Sequence, residues 1–322
     1  MSEAMSTMTR YEGNPILSAD DVPYPAGLVF NAGVTKWRGR YVMVFRNDYD
    51  LDERRYPHKT NIGLAYSDDG IEWKVAPEPC FDLKSTEIRR AYDPRLTVID
   101  DRMYVCFAVD TKHGIRGGVA VTDDLDHFEM ISLSAPDNRN MVLFPERPDG
   151  MFMRLERPFS IYGRGAPEAF DMWFSRSPDA RFWGDTELVL GSEQVPYANC
   201  KIGPAAPPVR VDAGWLTVIH AVYKDETREL PSWLGGWHKL YMAGLVLLDA
   251  DEPWRVIGMC PEPLLTPEEG YDYEWDGFRG GAIFPCGMIL EDGGEVKLYY
   301  GAADTVVALA TAQVEDLVAL CR

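Results

Sequence analysis

Long hydrophobic runs are absent from this sequence. No uninterrupted apolar stretch reaches the roughly 18 residues typical of a membrane-spanning helix, so no membrane span is expected. The first ten residues lack the apolar segment of a secretory signal, and we expect none. The six cysteines are scattered, with no Cys-x-x-Cys pair. We therefore predict a cytoplasmic protein with buried, reduced thiols, and no motif predicts a bound metal.

Positive charge is also scarce. The chain has 32 Lys and Arg against 51 Asp and Glu, a formal net charge of −19. Nucleic acid is excluded as the main partner, because binding to the phosphate backbone needs a basic face. An anionic substrate would not be steered over long range by such a protein. Any anion site must therefore be a local cluster of Arg and Lys.

Helical periodicity is rare, and short strand-like segments dominate the 322 residues. The best helix candidate is Val314 to Leu320. Most other segments are short, rich in β-branched or aromatic residues, and punctuated by Asp, Gly, Asn and Pro. Typical examples lie at 41–45, 62–66, 103–108, 118–122, 215–220 and 296–300.

A repeat becomes visible when these segments are aligned. Each copy has a strand, a Ser/Thr-Asp turn and then an aromatic residue, and the copies recur every 50 to 65 residues or so. The copies lie at 62–73, 118–128, 171–183, 241–254 and, truncated, 307–311. Five such copies predict an all-β fold, a five-bladed β-propeller in one domain over 1–322, with 1–12 a flexible N-terminal extension. A pair of β-sandwiches is the alternative architecture.

The repeat also indicates a role for the aspartates of its turns. Asp68, Asp69, Asp123 and Asp124 are expected to hold turns rather than to catalyse.

One segment departs from the repeat. Residues 224–240 interrupt the fourth copy between two strands. Trp233 and Trp237 of this segment could offer flat apolar faces to a sugar or pack on each other.

Polar residues recur where strands begin or end. Asp93 precedes the run from Leu96 to Ile99, and the other members of this set are Asn31, Arg139, Lys201 and Asp304. In a propeller such positions converge on the central funnel. One isolated carboxylic acid with several separated cations indicates an enzyme that protonates a leaving group and holds an anionic co-substrate.

Taken together in their order along the chain, the sequence motifs given below resemble those of glycoside hydrolase family 130, the β-mannoside phosphorylases and related mannosidases. The resemblance covers about residues 14 to 304. Its motifs are Phe30-Asn-Ala-Gly33, Ser67-Asp-Asp-Gly70 with Trp73, Asp93-Pro-Arg95, Asn138-Arg-Asn140, Leu143-Phe-Pro-Glu146, Arg157-Pro158, Lys201-Ile-Gly203 with Pro207-Pro208, Gly214-Trp-Leu216 with His220, Leu247-Leu-Asp249 with Pro253, and Tyr299-Tyr-Gly-Ala-Ala-Asp304.

The resemblance implies a five-bladed propeller that catalyses inverting phosphorolysis. A β-mannoside and inorganic phosphate would give α-mannose 1-phosphate and a shortened acceptor. Inversion needs an acid on the leaving-group side and a nucleophile on the opposite face. Phosphate is already anionic, so cations can replace the second carboxylate that a hydrolase uses. No cofactor is expected beyond phosphate as co-substrate, and the family implies a homo-oligomer.

The resemblance also implies roles for individual residues. Asp93 is the expected general acid, passing its proton through a mannose hydroxyl. The phosphate-binding candidates are Arg139, Lys201 and Arg157, with Arg54 or Arg55 as weaker candidates. Asn31 and Asp304 are expected to bind mannose hydroxyls. Further substrate-binding candidates are His220, Tyr223 and Arg95, although His220 could equally be a core residue, and His58 and His113 are expected at the surface.

Two departures from the family pattern bear on the substrate. Tyr92 stands where the family more usually has an acidic residue, and Pro204-Ala205-Ala206 replaces a glycine-richer stretch. The favoured substrates are β-1,4-mannooligosaccharides or mannosyl-N-acetylglucosamine, with β-1,2-mannobiose close behind. A β-mannoside hydrolase on the same fold and a non-catalytic sugar-binding propeller are the remaining alternatives.

Overall fold

Five antiparallel sheets make up the fold. The computed structural model describes residues 8–81, 83, 86–159, 169–227 and 237–321. Within these residues the strands of each sheet lie side by side in chain order, with two exceptions. One N-terminal strand joins the last sheet, and one short strand of the fourth sheet shares its pairing partner with the strand before it. Five up-and-down sheets of this kind form a five-bladed β-propeller. The predicted fold is thus confirmed, and the pair of β-sandwiches is wrong.

The blades are numbered in chain order. Blade 1 contains β2 (Leu28–Trp37), β3 (Arg40–Leu51), β4 (Pro57–Ser67) and β5 (Lys74–Val75). Blade 2 contains β6 (Ile88–Ile99), β7 (Arg102–Thr111), β8 (Gly114–Thr122) and β9 (Glu129–Leu133). Blade 3 contains β10 (Asn138–Leu143), β11 (Phe152–Pro158), β12 (Met172–Ser177) and β13 (Gly184–Leu190).

The last two blades complete the ring. Blade 4 contains β14 (Lys201–Pro204), β15 (Val209–Val211), β16 (Gly214–Lys224), β17 (Lys239–Leu248) and β18 (Val256–Met259). Blade 5 contains β19 (Ile283–Leu290), β20 (Glu295–Ala302), β21 (Val306–Gln313) and β1 (Thr9–Arg10). The one α-helix of the described chain, α1 (Val314–Leu320), has the predicted bounds, and short 3-10 turns lie at Ala19–Asp21, Pro148–Gly150, Ser192–Gln194 and Asp272–Glu274.

The sequence repeat corresponds to the third strand along every sheet, with β14 and β15 counted as one position, namely β4, β8, β12, β17 and β21. The turn that follows is held by its own side chains. The Asp69 carboxylate accepts hydrogen bonds from the amides of Ile71 and Glu72 at 2.8 and 2.9 Å. Asp124 accepts two such bonds in blade 2. The structural role predicted for these two aspartates is confirmed.

The apolar core lies between neighbouring blades, because each sheet buries both of its faces. Phe144 of blade 3 meets Trp215 of blade 4 edge to face, with ring centroids 5.1 Å apart. Both side chains are almost fully buried. Burial on both sides fixes each blade against the next and so fixes the positions of the loops at the centre.

The N-terminal residues close the ring, which corrects the expected flexible extension. Thr9 and Arg10 pair with Thr311 and Ala310 as the fourth strand of blade 5. The Arg10 guanidinium lies 2.8 Å from the fully buried Glu274 carboxylate. A ring of sheets leaves its last blade short of a strand, and the chain start supplies it. Residues 1–7 lie outside the described part.

All six cysteines are free, five of them buried and Cys80 half-buried. No helix among the described residues is long and apolar enough to cross a membrane.

Candidate active site

A cavity of about 290 Å³ collects polar side chains from all five blades. Blade 2 contributes Asp93, and blade 4 contributes Tyr241. The other blades add Asn31, Arg46, Arg139, Asn140, Arg157, Arg279 and Asp304. Most of the polar residues predicted to converge on the centre therefore line one cavity.

A shared backbone irregularity turns three of these side chains towards the centre. Asn31, Asp93 and Asn140 lie at β-bulges in the first strands of blades 1, 2 and 3. Their φ angles are 50°, 54° and 57°, in the left-handed region. Asn and Asp tolerate this region best among residues with side chains. Bulges often re-aim a side chain near an active site, and such strain is concentrated at functional positions.

Asp93 is buried among hydrogen-bond donors. Its Oδ1 accepts from Asn31 Nδ2 at 3.0 Å and from an Arg46 guanidinium nitrogen at 3.2 Å. Burial alone would raise the pKa of this carboxyl. The charges of Arg46 and Arg95 outweigh burial and lower the pKa below its ordinary value. These groups therefore favour the ionised form of Asp93.

Arg46 is one of the cavity residues that the sequence analysis missed, as are Arg279 and Tyr241. Arg46 sits on β3 and reaches Asp93, whereas Arg54 and Arg55 lie on the exposed hairpin beyond it and do not line the cavity. Asp48 holds Arg46 with both carboxylate oxygens, at 3.0 and 2.6 Å. The signal in the sequence that could have indicated Arg46 was its position as a charged residue directly after the apolar run 41–45.

Three cations lie close together, of which Arg157 and Lys201 are buried and Arg139 is half-buried. Arg139, Arg157 and Lys201 each lie 5.1 to 5.6 Å from one ring of the stacked pair Phe159 and Phe170. Aromatic faces favour cations without neutralising them. The aromatic rings therefore do not act as counterions to the cluster.

The cluster lacks anionic partners within the described residues. Arg139 Nε and the Nε and one terminal nitrogen of Arg157 are buried donors without a hydrogen-bond acceptor. Burial, followed by the other cations, lowers the pKa of Arg157 to about 9 and that of Lys201 to about 7. Buried donors normally have partners, so the open positions point to a bound anion.

His220 lies behind the cations rather than in the cavity lining. Its Nε2 is 2.9 Å from an Arg157 nitrogen that can only donate. Burial and then the charge of Arg157 lower the pKa of His220 well below its ordinary value. The imidazole is therefore neutral, with its proton on Nδ1, and it orients Arg157.

Asp304 brings a second carboxyl to the cavity. It lies in the tight turn between β20 and β21, where Ala303 and Asp304 have φ of 50° and 49°. Burial raises the pKa of Asp304, although Arg279, 3.6 Å away, opposes this effect. Asp93 and Asp304 thus have pKa values shifted in opposite directions within one cavity.

Two predicted substrate contacts lie elsewhere. Arg95 is buried behind the bulge and donates to the backbone carbonyls of Asp93 and Ala205. Tyr223 is 42% exposed and does not line the cavity. It is three residues from the buried His220 on the same strand, and residues an odd number apart face opposite sides of a sheet.

The irregular segment between β16 and β17 contributes to the site. Trp237 lines the cavity and stacks on Tyr241, with ring centroids 5.6 Å apart and planes 8° apart. The Arg279 guanidinium lies 4.5 Å from the Trp237 ring. Trp233 lies outside the described residues.

Comparison with known proteins places this geometry in a family. The family profile described as beta-1,4-mannooligosaccharide phosphorylase matches residues 4–322. A beta-1,4-mannooligosaccharide phosphorylase from Ruminococcus albus is 32% identical, over 98% of this chain and 91% of that protein. A 4-O-beta-D-mannosyl-D-glucose phosphorylase from Bacteroides fragilis is 26% identical, over 90% of this chain and 74% of that protein.

Solved structures agree with the sequence comparisons. The complex of a beta-1,2-mannobiose phosphorylase from Listeria innocua with beta-1,2-mannobiose superposes with a TM-score of 0.82 and 26% identity, over 98% of this chain and 99% of the other. These matches extend along the whole propeller. The chain therefore belongs to glycoside hydrolase family 130, and it is an enzyme of the mannoside phosphorylase type, whose members use inorganic phosphate as co-substrate.

Proposed function

We propose that this protein, as a single catalytic domain, cleaves β-1,4-linked mannosides with phosphate, giving α-mannose 1-phosphate with inversion. The observation that carries the proposal is the group of buried, unpaired guanidinium donors on Arg139 and Arg157, close to Lys201 and in the same cavity as Asp93. An inverting reaction needs a nucleophile and an acid on opposite faces of the sugar. A phosphate held by these cations would be that nucleophile.

The residue roles follow from position. Asp93 is the general acid for the leaving group, with its proton relayed through a mannose hydroxyl. Asn31 and Asp304 bind mannose hydroxyls, since the Asn31 Oδ1 is a buried acceptor without a partner and the Asp304 carboxyl faces the same cavity. Arg95 and His220 position Asp93 and Arg157 rather than touching substrate.

The electrostatics couple phosphate binding to the acid. Burial raises the pKa of Asp93, and Arg46, Arg95 and then Arg139 lower it, so one of the cations assigned to the phosphate also acts on the acid. A phosphate dianion would offset this positive charge and raise the Asp93 pKa, so that the acid is protonated when the nucleophile is present. A water molecule in place of phosphate would bring no negative charge and so would not raise the pKa of Asp93.

A second linkage is supported by the close superposition on the beta-1,2-mannobiose phosphorylase. The β-1,4 linkage is preferred because the 32% identical relative carries that name. Both candidates use the same acid and the same anion site, so they differ only in how the acceptor sugar lies.

The test is sugar release from β-1,4-mannobiose with and without inorganic phosphate, with mannose 1-phosphate as the readout. Phosphate-dependent mannose 1-phosphate is the expected result, and the β-1,2 isomer run in parallel ranks the two linkages. Free mannose formed at the same rate without phosphate would overturn the proposal in favour of hydrolysis. No turnover of either isomer would favour a sugar-binding propeller.

A further inference from the structure

We propose that Asp110 and Tyr92 form a hydrogen-bonded relay that holds Arg139 in the orientation needed to bind phosphate, so that Asp110 is a positioning residue for the reaction. This inference rests on the proposed function, which assigns Arg139 to the phosphate. Asp110 lies near the end of β7 in blade 2, whereas Arg139 lies on β10 of blade 3. The relay therefore connects one blade to an anion-binding side chain of the next.

The relay consists of two hydrogen bonds that meet at one hydroxyl group. The Tyr92 hydroxyl donates to one carboxylate oxygen of Asp110 at 2.8 Å and accepts from a terminal nitrogen of Arg139 at 3.4 Å. A phenolic oxygen donates and accepts at the same time, so the two bonds are compatible. The other carboxylate oxygen of Asp110 accepts from Arg90 Nε at 2.6 Å. Each oxygen of Asp110 thus has a partner, which fixes the carboxylate in place.

The sheet of blade 2 brings the members of this group together. Arg90 and Tyr92 are two residues apart on β6, so their side chains leave the same face of the sheet. Asp110 is the cross-strand partner of Arg90, which places its carboxylate beside both side chains. Tyr92 is almost fully buried, and the guanidinium groups of Arg46 and Arg90 lie 5.1 and 5.0 Å from its ring. This packing limits the positions open to the hydroxyl.

A neutral bridge suits a cation that must bind an anion. A carboxylate in direct contact with Arg139 would occupy its donors and compete with phosphate for them. Among the described residues Arg139 has no carboxylate in contact, and its Nε is buried without an acceptor. Burial raises the pKa of Tyr92 to about 12, so its hydroxyl is neutral and does not offset the charge of Arg139. The relay therefore orients Arg139 and leaves its other donors to phosphate.

The experiment measures phosphate binding and turnover in Tyr92→Phe, Asp110→Ala and the double variant. Inorganic phosphate is titrated by calorimetry, and kcat and the KM for phosphate are measured with the mannobiose isomer that the wild type cleaves. Tyr92→Phe should raise both the Kd and the KM for phosphate by about tenfold, since Arg139 loses its tether. Asp110→Ala should raise them by about threefold, because the hydroxyl stays but loses its fixed direction. At saturating phosphate kcat should fall by less than about threefold, because the acid and the other two cations are unchanged.

The double variant separates a relay from two independent structural roles. Asp110 acts on Arg139 only through the Tyr92 hydroxyl, so the double variant should bind phosphate no more weakly than Tyr92→Phe alone. Thermal unfolding shows whether each variant is folded. Asp110→Ala changes a half-buried side chain and tests the relay without altering the buried ring.

Asp123→Ala is the matched control. Asp123 is another blade 2 carboxylate paired with an arginine, Arg102 at 2.8 Å, but it lies in the turn between β8 and β9 and does not line the cavity. Its loss should leave phosphate binding unchanged. Unchanged phosphate affinity in Tyr92→Phe, or losses that add in the double variant, would overturn the relay while leaving phosphorolysis intact. Absence of phosphate-dependent cleavage of either mannobiose isomer by the wild type would instead overturn the proposed function.

Discussion

At the scale of single residues, one arginine of the site interacts with two carboxylates at different distances. Arg46 lies 2.6 Å from Asp48 and 3.2 Å from Asp93. The pKa of Asp93 is lowered because the combined charge of Arg46 and its neighbours exceeds the effect of burial. Under the proposed mechanism, phosphate binding would have to raise this pKa before Asp93 could donate a proton.

Replacing the acid should abolish turnover and preserve binding. Asp93→Asn keeps the shape and the Asn31 contact but cannot deliver a proton. We expect kcat to fall by about 10²–10⁴-fold, with mannose 1-phosphate still bound, as measured by calorimetry. Activity within a few-fold of wild type would remove Asp93 from the reaction.

Asp48 should tune the acid without touching substrate. In Asp48→Asn the loss of a negative charge frees Arg46 to act on Asp93 alone, so the Asp93 pKa falls further. The alkaline limb of the kcat/KM profile should move to lower pH. Asp50→Asn removes an exposed carboxylate, paired with Lys59 at 3.0 Å, and serves as control. An unshifted profile in Asp48→Asn would contradict this account.

Lys201 should make anion binding depend on pH. Burial and then Arg157 lower its pKa to about 7 from an ordinary 10.5, so the lysine loses its charge as the pH rises through neutrality. Without an anion, the free energy of unfolding should rise as the pH increases from about 7 to 10.5. In this range the lysine of the unfolded chain is still protonated, whereas the buried lysine of the folded chain has lost its proton. Anion binding needs the charged form and is strongest below the folded pKa.

Sulfate, a dianion over this range, is the probe for this dependence. Its stabilising effect in thermal unfolding should be larger at about pH 6 than at about pH 8.5. Lys201→Arg, which stays charged, should remove most of the difference. Equal stabilisation of the wild type at both pH values would show that Lys201 does not hold the anion.

At the scale of elements, the β-bulge is the device that builds the site. Three first strands insert an extra residue at Asn31, Asp93 and Asn140, each with positive φ. The pleat would otherwise send alternate side chains into the blade interfaces. At each bulge the regular strand pairing is interrupted, and a polar side chain points into the central cavity instead.

The strain at these bulges predicts an unusual mutational pattern. Asn140→Val should destabilise the protein by about 1–3 kcal/mol, since a β-branched residue fits positive φ poorly. Asn140→Gly should cost less, although it removes the same amide. Urea unfolding of the two variants compares them. A larger loss for the glycine variant would mean that the Asn140 side chain, not its backbone, carries the stability.

At the scale of the whole molecule, the fold is held by closure of the ring. The strand Thr9–Arg10 completes blade 5, and the Arg10 guanidinium pairs with Glu274, which also accepts from the Tyr300 hydroxyl at 3.0 Å. The closing strand therefore joins the chain start to a buried polar group formed near the chain end.

Breaking this pair should be costly. Arg10→Met leaves the Glu274 carboxylate buried without its cation and should lower the free energy of unfolding by about 3–5 kcal/mol. Arg10→Met combined with Glu274→Leu should regain much of that loss, because no charge stays buried. Chemical denaturation of the two variants makes the comparison, and equal losses would argue that packing rather than charge closes the ring.

The sequence by itself determined the repeat, the helix and the set of polar residues that could act. Period-two strands, acidic turns and the motifs around Asp93 are local features, and local propensity is readable without coordinates. Asn31, Arg139, Arg157 and Asp304 do line the cavity with Asp93. Their chemical roles remain predictions.

Only the tertiary structure decided which side chains meet. Arg46 reaches Asp93 through a contact 47 residues apart in sequence. Tyr223 is turned away by strand register, and Arg10 finds Glu274 across 264 residues. The reason is physical: blade closure and bulges set side-chain direction through long-range packing, which adjacent residues do not encode.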